Sequence, residues 1–149
     1  MTDLGHWTTN IPYDDTKCYF GFIYRITNTV NGKIYFGKKQ ITKIKKLKPL
    51  KGRKNKRHFA GESDWKTYTS SSNEVNADIA LLGKDKFKFE IIRLCGSKFE
   101  LAYFEAKIQF EHDVLLKDGF YNGIINCRIG RAPKALLEQL HNESRCYWN

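Results

Sequence analysis

The sequence contains no apolar run of about 18 residues, the length that a membrane-spanning helix requires. It has only four cysteines in 149 residues and no Cys-x-x-Cys pair, so free buried thiols are expected rather than a disulfide framework. Cys127, His141 and Cys146 lack a fourth ligand for a zinc finger. The N-terminal residues MTDLGHW have neither a basic start nor an apolar core, unlike a signal peptide. These absences predict a cytoplasmic protein with no membrane partner.

Acidic residues are missing from one stretch of the chain, between Lys38 and His58. This basic block holds eleven Lys or Arg, whereas the rest of the chain has 15 basic and 16 acidic residues. Such a block is typical of a nucleic-acid contact, because basic side chains displace counterions from phosphates. The alternative is a solvated basic loop. Pro49 and Gly52 within the block predict a loop with a short helical turn, not one long helix.

An Asn-Gly pair at residues 31–32 lies between two stretches rich in β-branched and aromatic residues. This pattern predicts a β-hairpin with a two-residue type I′ turn. In that register Tyr24 pairs with Lys39, and the alternation of side chains places Tyr24, Tyr35 and Lys39 on one face. Gly37 is expected to leave that face open to an approaching group. The hairpin therefore predicts the start of an active site, although both tyrosines also suit a cross-strand core pair.

Helices and a third strand are predicted along the rest of the chain. Capping boxes at Ser71-x-x-Glu74 and Ser97-x-x-Glu100 precede apolar residues at helical spacing. Gly83 supplies a stop for the first of these helices. The remaining predicted elements are an irregular arm at 1–18, hairpin strands at 19–28 and 33–39, a third strand at 87–95, an end to the second helix near 116, and a short helix at 132–141.

Two tripeptides of the hairpin, Phe22-Ile23-Tyr24 and Tyr35-Phe36-Gly37, resemble the pair that names the GIY-YIG nucleases. Ten residues separate them, and phenylalanines replace the first glycine and the second isoleucine. The segment 65–72, Glu105 and Tyr121-Asn122 also resemble the family, so the resemblance covers roughly residues 20–126. It is closest to small phage-type (Seg-like) homing endonucleases. It implies an α+β fold, a small three-stranded antiparallel sheet flanked by helices.

The resemblance implies a DNA endonuclease that hydrolyses phosphodiester bonds with Mg²⁺ or another divalent cation, of homing or nicking type. One of Tyr24 and Tyr35 would help to activate water, and Glu105 would hold the metal. Lys39 would favour the phenolate. The family's arginine corresponds either to Arg57 or to a lysine. Its histidine is absent, with Tyr68 or Thr69 near the expected place.

One domain is expected over residues 1–149, with a basic loop at 38–58 and a C-terminal extension at 127–149. DNA is the expected partner, and a homodimer is one way for single-strand cuts to become a double-strand break. An alternative function is a non-catalytic nucleic-acid-binding protein that keeps the fold. The helical pattern also allows Glu105 to be an ordinary surface carboxylate, Glu111 to be the acid, and His112 to be a surface residue. The residues predicted to contact DNA are Lys45, Lys46, Lys51, Arg53, Lys54, Lys56 and Asn122.

Overall fold

A three-stranded antiparallel sheet forms the centre of the protein. The computed structural model describes residues 3–13, 19–47, 50–53, 57–126 and 128–143. Strand β1 (Gly21–Asn28) lies between β2 (Ile34–Gln40) and β5 (Phe87–Cys95). Phe87, Phe89 and Ile91 alternate into the core as predicted. Together with the helices, this sheet confirms the predicted α+β fold.

The hairpin register differs by two residues from the predicted one. Tyr24 lies opposite Gly37, not Lys39. Residues 29–32 form a longer connection than a type I′ turn, closed by a 2.8 Å hydrogen bond from the Asn28 N–H to the Lys33 carbonyl. The Asn28 side chain accepts a further bond from the loop backbone, and Gly32 alone has positive φ. A shift of two residues preserves the face of every side chain, so Tyr24, Tyr35 and Lys39 share a face as predicted.

Three α-helices accompany the sheet. Helix α1 (Asn73–Leu82) is capped by Ser72, one residue later than predicted, and ends at Gly83. A short 3₁₀ helix follows at Lys84–Lys86. Helix α2 (Lys98–Glu111) is capped by Ser97 as predicted, but it ends before residue 116, because the chain turns at Asp113 with φ 51°. Helix α3 (Lys134–Glu143) lies near the C-terminus.

The basic block is not the predicted loop. It contains strand β3 (Thr42–Leu47) and the first two residues of β4 (Arg57–Glu62), and these strands pair antiparallel as a separate two-stranded ribbon. Gly52 lies between the strands with φ 84°, in a turn closed by a hydrogen bond from the Arg53 N–H to the Leu50 carbonyl. Gly52 therefore marks a turn between strands. Pro49 and Cys18, Cys127 and Cys146 lie outside the described residues.

The N-terminal arm is packed, not loose. Trp7 is 3% exposed, and its indole N–H donates to the Trp65 carbonyl at 2.6 Å. Thr8 forms a parallel bridge along the free side of β5, exchanging hydrogen bonds with Phe89 and Ile91. The arm thus covers one edge of the sheet, and the prediction of an irregular arm missed this contribution to the core.

The two faces of the sheet have different coverings. One face carries an aromatic cluster with Trp7, Phe22, Trp65 and the α1 residue Val75. The other packs against α2, with a smaller cluster of Ile23, Leu101 and the free, buried Cys95. No helix in the described part of the chain is long and apolar enough to cross a membrane.

Candidate active site

Tyr24 and Tyr35 lie side by side on the aromatic face of the sheet. Their ring centroids are 6.1 Å apart, and the Tyr68 ring lies 6.3 Å from that of Tyr24. Tyr24, on the central strand, is only 1% exposed. Tyr35, on the edge strand, is half-buried and its hydroxyl lies 3.4 Å from the Ser71 Oγ. Of the two phenols, only that of Tyr35 is therefore open to a substrate.

Gly37 makes this packing possible. A Cβ atom at Gly37 would lie 2.5 Å from the Tyr24 hydroxyl oxygen, 2.6 Å from its Cζ and 2.9 Å from the Tyr35 Cε1. The space that the sequence predicted for an approaching group is therefore filled by the Tyr24 ring. Gly37 positions the two tyrosines rather than leaving the face open.

Burial decides the protonation of Tyr24. Desolvation raises the pKa of Tyr24 well above its usual value of 10, and Tyr35, Tyr68 and Glu105 raise it further, against a hydrogen bond with Ser70. This shift favours the neutral phenol of Tyr24 over its phenolate. A neutral phenol can donate and accept hydrogen bonds, but it cannot serve as a base.

Lys39 shares the tyrosine face but has its own partners. Its Nζ lies 2.8 Å from the Asp64 carboxylate and 4.1 Å from the centroid of the Tyr68 ring. The hydrogen bond from Lys39 lowers the pKa of Asp64. The structure thus places a fixed positive charge beside the aromatic group, next to residues 68–69 where a histidine was expected.

Glu105 lies against the opposite face of the edge strand, beside Lys38. It projects from α2, its side chain is 14% exposed, and the Lys38 Nζ lies 3.7 Å from its Oε1. Burial raises the pKa of Glu105, whereas the side chain and backbone of Lys38 lower it. The negative charge of Glu105 also raises the pKa of Tyr24. Glu105 is thus neither a free surface carboxylate nor paired with Lys107.

Glu111 and His112, at the end of α2, have other neighbours. Glu111 pairs with Lys107 at 3.9 Å and is largely exposed, so it is not part of this group. His112 is an exposed residue at the end of α2, packed on the Phe36 ring at 4.8 Å. These positions agree with a surface location for His112. The role of Glu105 as the acid stays a prediction.

Asn122 and Gln109 hold the backbone of the edge strand. Asn122 is 8% exposed; its Oδ1 accepts from the Phe36 N–H at 3.1 Å and its Nδ2 donates to the Phe36 carbonyl at 2.8 Å. Gln109 donates to the same carbonyl at 3.0 Å. Because Phe36 lies between Tyr35 and Gly37, these amides position the tyrosine strand. Contact of Asn122 with DNA stays a prediction.

The described basic residues that are predicted to bind DNA lie in different parts of the ribbon. Lys45 and Lys46 lie in β3, opposite Phe59 and His58, and Arg57 begins β4. Lys51 and Arg53 are exposed in the turn between the strands. Lys54 and Lys56, like the side chain of Arg57, lie outside the described part. The structure does not test whether Arg57 or a lysine takes the arginine role.

A family comparison agrees with this arrangement. A protein-family model described as "Putative endonuclease segE, GIY-YIG domain" matches residues 7–125, more than half of the chain. The chain belongs to the GIY-YIG endonuclease family. No curated protein and no solved structure gave a significant match. The match begins at Trp7, which agrees with the packing of the GIY-YIG domain's N-terminal arm into the core.

The altered tripeptides of this GIY-YIG domain remain compatible with the fold. Phe22, in place of the first glycine, is fully buried between Trp7 and Trp65, with ring centroids 5.0 and 5.8 Å away. Phe36, in place of the isoleucine, is 1% exposed on the opposite face. Both replacements are core residues and leave the tyrosines in place.

Sequence reasoning missed the residues that position this GIY-YIG site. Lys38 was counted with the basic block, but it pairs with Glu105. The signal available for this pairing was the alternation along β2, because it places Lys38 on the face opposite Lys39. Gln109 lies one turn after Glu105 on α2, and that spacing was the signal available for it. Ser70, Asp64 and Trp7 carried no comparable signal, because their positions depend on long-range packing.

The residues around Glu105 fit a magnesium ion with one protein carboxylate. Mg²⁺ commonly takes one or two carboxylates and completes its shell with water and substrate phosphate. Within the described ranges, no group of three or more His, Cys, Asp or Glu could form an all-protein metal cage. One helical turn away, the buried Oε1 of Gln109 has no hydrogen-bond partner. A single carboxylate, with the other positions left to water and substrate phosphate, suits Mg²⁺.

Proposed function

We propose that this protein is a Mg²⁺-dependent DNA endonuclease of homing or nicking type. The observation that carries the proposal is the family match over residues 7–125. Two groups at strand β2 suit this chemistry: a half-exposed tyrosine, Tyr35, on one face and, against Lys38 on the other, a partly buried carboxylate, Glu105. Family membership supports nuclease chemistry, and the basic ribbon supports a phosphate-rich partner. Glu105 would hold Mg²⁺, which when bound supplies a Lewis acid for the phosphate oxygens.

Tyr35 is the group best placed to handle the proton of the attacking water. Tyr24 stays protonated, so its role is to fix the Tyr35 ring and to donate or accept a hydrogen bond. Lys39 supplies positive charge on the same face, where it would stabilise the negative charge that develops during the reaction. Lys38 neutralises Glu105 until a metal binds, and its charge is then available to the phosphate.

The remaining positive charge is proposed to bind the DNA. Arg57 is proposed for the family's arginine role, while Lys45, Lys46, Lys51, Arg53, Lys54 and Lys56 would bind backbone phosphates. Asn122 would hold the tyrosine strand and reach phosphate only through its second amide hydrogen. The cytoplasm of the cell, including a host cell, is the proposed location. A homodimer or two successive nicks would produce a double-strand break.

Cleavage of supercoiled plasmid tests this proposal. Wild type with Mg²⁺ is expected to give nicked or linear product, whereas Glu105→Gln loses at least about 100-fold in rate. Glu111→Gln is the matched control, since it removes an exposed carboxylate from the same helix. Direct Mn²⁺ binding, measured by electron paramagnetic resonance, is expected to fall in Glu105→Gln alone.

The second candidate, a non-catalytic nucleic-acid-binding protein, rests on the Lys38–Glu105 pair. Lys38 already provides a cation for the carboxylate that a metal would need. If wild type shifts plasmid on a gel without cutting it, at any divalent cation tested, this second function replaces the first. Equal cleavage by wild type and Glu105→Gln would reject the assignment of Glu105.

A further inference from the structure

The β3–β4 ribbon stands apart from the central sheet. Its strands pair over six residues each, from Thr42 opposite Glu62 to Leu47 opposite Arg57. In the described part of the chain the ribbon pairs with no third strand. At about 3.3 Å per residue, six paired residues extend for roughly 20 Å. The ribbon is thus a narrow, two-stranded element. All of β3 and the first two residues of β4 lie within the stretch that has eleven basic and no acidic residues, and β4 ends at an acidic residue, Glu62.

The base of the ribbon is fixed to the sheet. The buried Ile41 donates its N–H to the Phe20 carbonyl at 2.8 Å, and its carbonyl accepts from the Ser63 N–H at 2.8 Å. The Ser63 hydroxyl donates to the Gln40 carbonyl at 2.5 Å. These bonds connect the start of β3 and the end of β4 to the start of β1 and the end of β2. The ribbon therefore has a defined direction relative to the tyrosine strand.

The ribbon also begins beside the proposed active site. Lys39 is the last residue of the tyrosine face, and Thr42 opens β3 three residues later. A cleft of about 290 Å³ joins the two and includes Lys39 and Lys43 in its wall. The same wall holds the Asp64 carboxylate, which pairs with Lys39. A duplex that passes the site would therefore meet the base of the ribbon next.

We propose that the β3–β4 ribbon enters the major groove of B-form DNA and reads base edges next to the point of cleavage. This inference rests on the proposed function for duplex DNA as substrate. The major groove, about 12 Å wide, admits a two-stranded ribbon, whereas the minor groove is about 6 Å wide. The major groove of A-form RNA is too deep and narrow. A ribbon of roughly 20 Å would span about six base pairs at ~3.4 Å each.

Groove insertion makes a different prediction from binding along the backbone. A ribbon that only contacts phosphates leaves the guanine N7 atoms accessible, because N7 lies on the floor of the major groove. A ribbon inside the groove covers them. Adenine N3, in the minor groove, is expected to stay accessible.

Dimethyl sulfate footprinting distinguishes these arrangements. The probe is a 30-bp duplex selected from a randomised pool for binding to the full chain in EDTA, where cleavage is blocked. Wild type is expected to protect guanine N7 over about six base pairs. The strand variant Lys43→Gln/Lys45→Gln/Lys46→Gln and the turn variant Lys51→Gln/Arg53→Gln are expected to lose that protection and at least 10-fold in affinity. The control replaces exposed lysines away from the ribbon, as Lys86→Gln/Lys117→Gln/Lys134→Gln.

Several outcomes would overturn the proposal. They are protection of adenine N3 in place of guanine N7, equal affinity for an RNA duplex of the same sequence, and full protection by both ribbon variants. The turn variant leaves the paired strands unchanged, so loss of protection there does not depend on refolding of the ribbon. Plasmid cleavage in Mg²⁺ keeps the two proposals apart: N7 protection without cleavage supports the ribbon and rejects the nuclease, and cleavage without N7 protection does the reverse.

Discussion

The two faces of strand β2 differ in chemistry although they alternate residue by residue. Tyr35 and Gly37 face the aromatic cluster, where hydroxyl groups are packed so closely that a Cβ atom would not fit. Phe36 and Lys38 face α2, where the groups are amides and a charged pair. One strand therefore separates a tightly packed aromatic face, which has the Lys39–Asp64 pair beside it, from a face where amides and the Lys38–Glu105 pair meet α2.

Burial has opposite consequences in these two regions. On the aromatic face it keeps Tyr24 neutral, which suits a group that orients a neighbour. On the α2 face it raises the pKa of Glu105, so that a nearby cation is needed to keep the carboxylate charged. Lys38 supplies that cation in the structure, and Mg²⁺ would supply it in the proposed enzyme. We therefore expect substitutions that change side-chain volume to matter most on the aromatic face, and substitutions that change charge to matter most on the α2 face.

Removing the two phenol hydroxyls one at a time tests the division within the aromatic face. Tyr35→Phe is expected to lower the rate of plasmid cleavage by about 100-fold, since it removes the proposed proton acceptor. Its free energy of unfolding should change by less than about 0.5 kcal/mol, because the hydroxyl is at the surface. Tyr24→Phe, the matched variant, should cost about 1 kcal/mol in urea unfolding through its lost hydrogen bond with Ser70. Equal rates for Tyr35→Phe and wild type would remove Tyr35 from the mechanism.

Adding one methyl group tests the shape requirement. Gly37→Ala is expected to lower the free energy of unfolding by about 1–3 kcal/mol, because the Tyr24 ring must move. Gly123→Ala is the control, as a Cβ there meets nothing within 4 Å. Urea unfolding measures both. A Gly37→Ala protein as stable as Gly123→Ala would show that the two tyrosines can repack.

The free energy of unfolding is expected to change with pH in opposite directions for one group on each face, His6 and Glu105. On the aromatic side, burial and Lys84 lower the pKa of His6 from 6.5 to about 4, so stability is lost as the pH falls from 6.5 towards 4. The raised pKa of Glu105 acts oppositely, because stability falls as the pH rises from 4.5 through the folded-state value.

Two variants isolate these contributions in urea unfolding at pH 4, 5 and 7. His6→Asn should lose less stability than wild type between pH 7 and 5, by on the order of 1 kcal/mol. Glu105→Gln should become more stable relative to wild type as the pH rises. Parallel pH profiles for wild type and both variants would contradict the assignments.

The sequence predicted the shared face of the tyrosines better than it predicted the turn that creates it. An error of two residues in register keeps Tyr24 and Tyr35 together, because the period of a strand is two. The same alternation and the two serine caps located β5, α1 and α2 to within a residue at their starts. The prediction of Glu105 as the metal ligand came from the family pattern, not from its own helix, and it stays a prediction.

The ribbon and the positioning residues could not be predicted in this way. Lysine is depleted in strands, so the composition of β3 favours a loop, and its pairing with β4 depends on contacts across the block. Trp7 and Asn122 lie far along the chain from their partners Trp65 and Phe36. Local patterns contain no information on such contacts.

The amides that hold Phe36 also have a consequence for assembly. Along the outer side of β2, Ile34 bonds with Gly119 and Tyr121, and Phe36 bonds with Asn122. On the outer side of β5, Thr8 bonds with Phe89 and Ile91. Exposed strand edges are where a second chain can add and where aggregates start. At these positions both edges of the sheet already have hydrogen-bond partners, so two copies are not expected to associate by extending the sheet. Two copies that act together would have to meet elsewhere, for example along one DNA molecule.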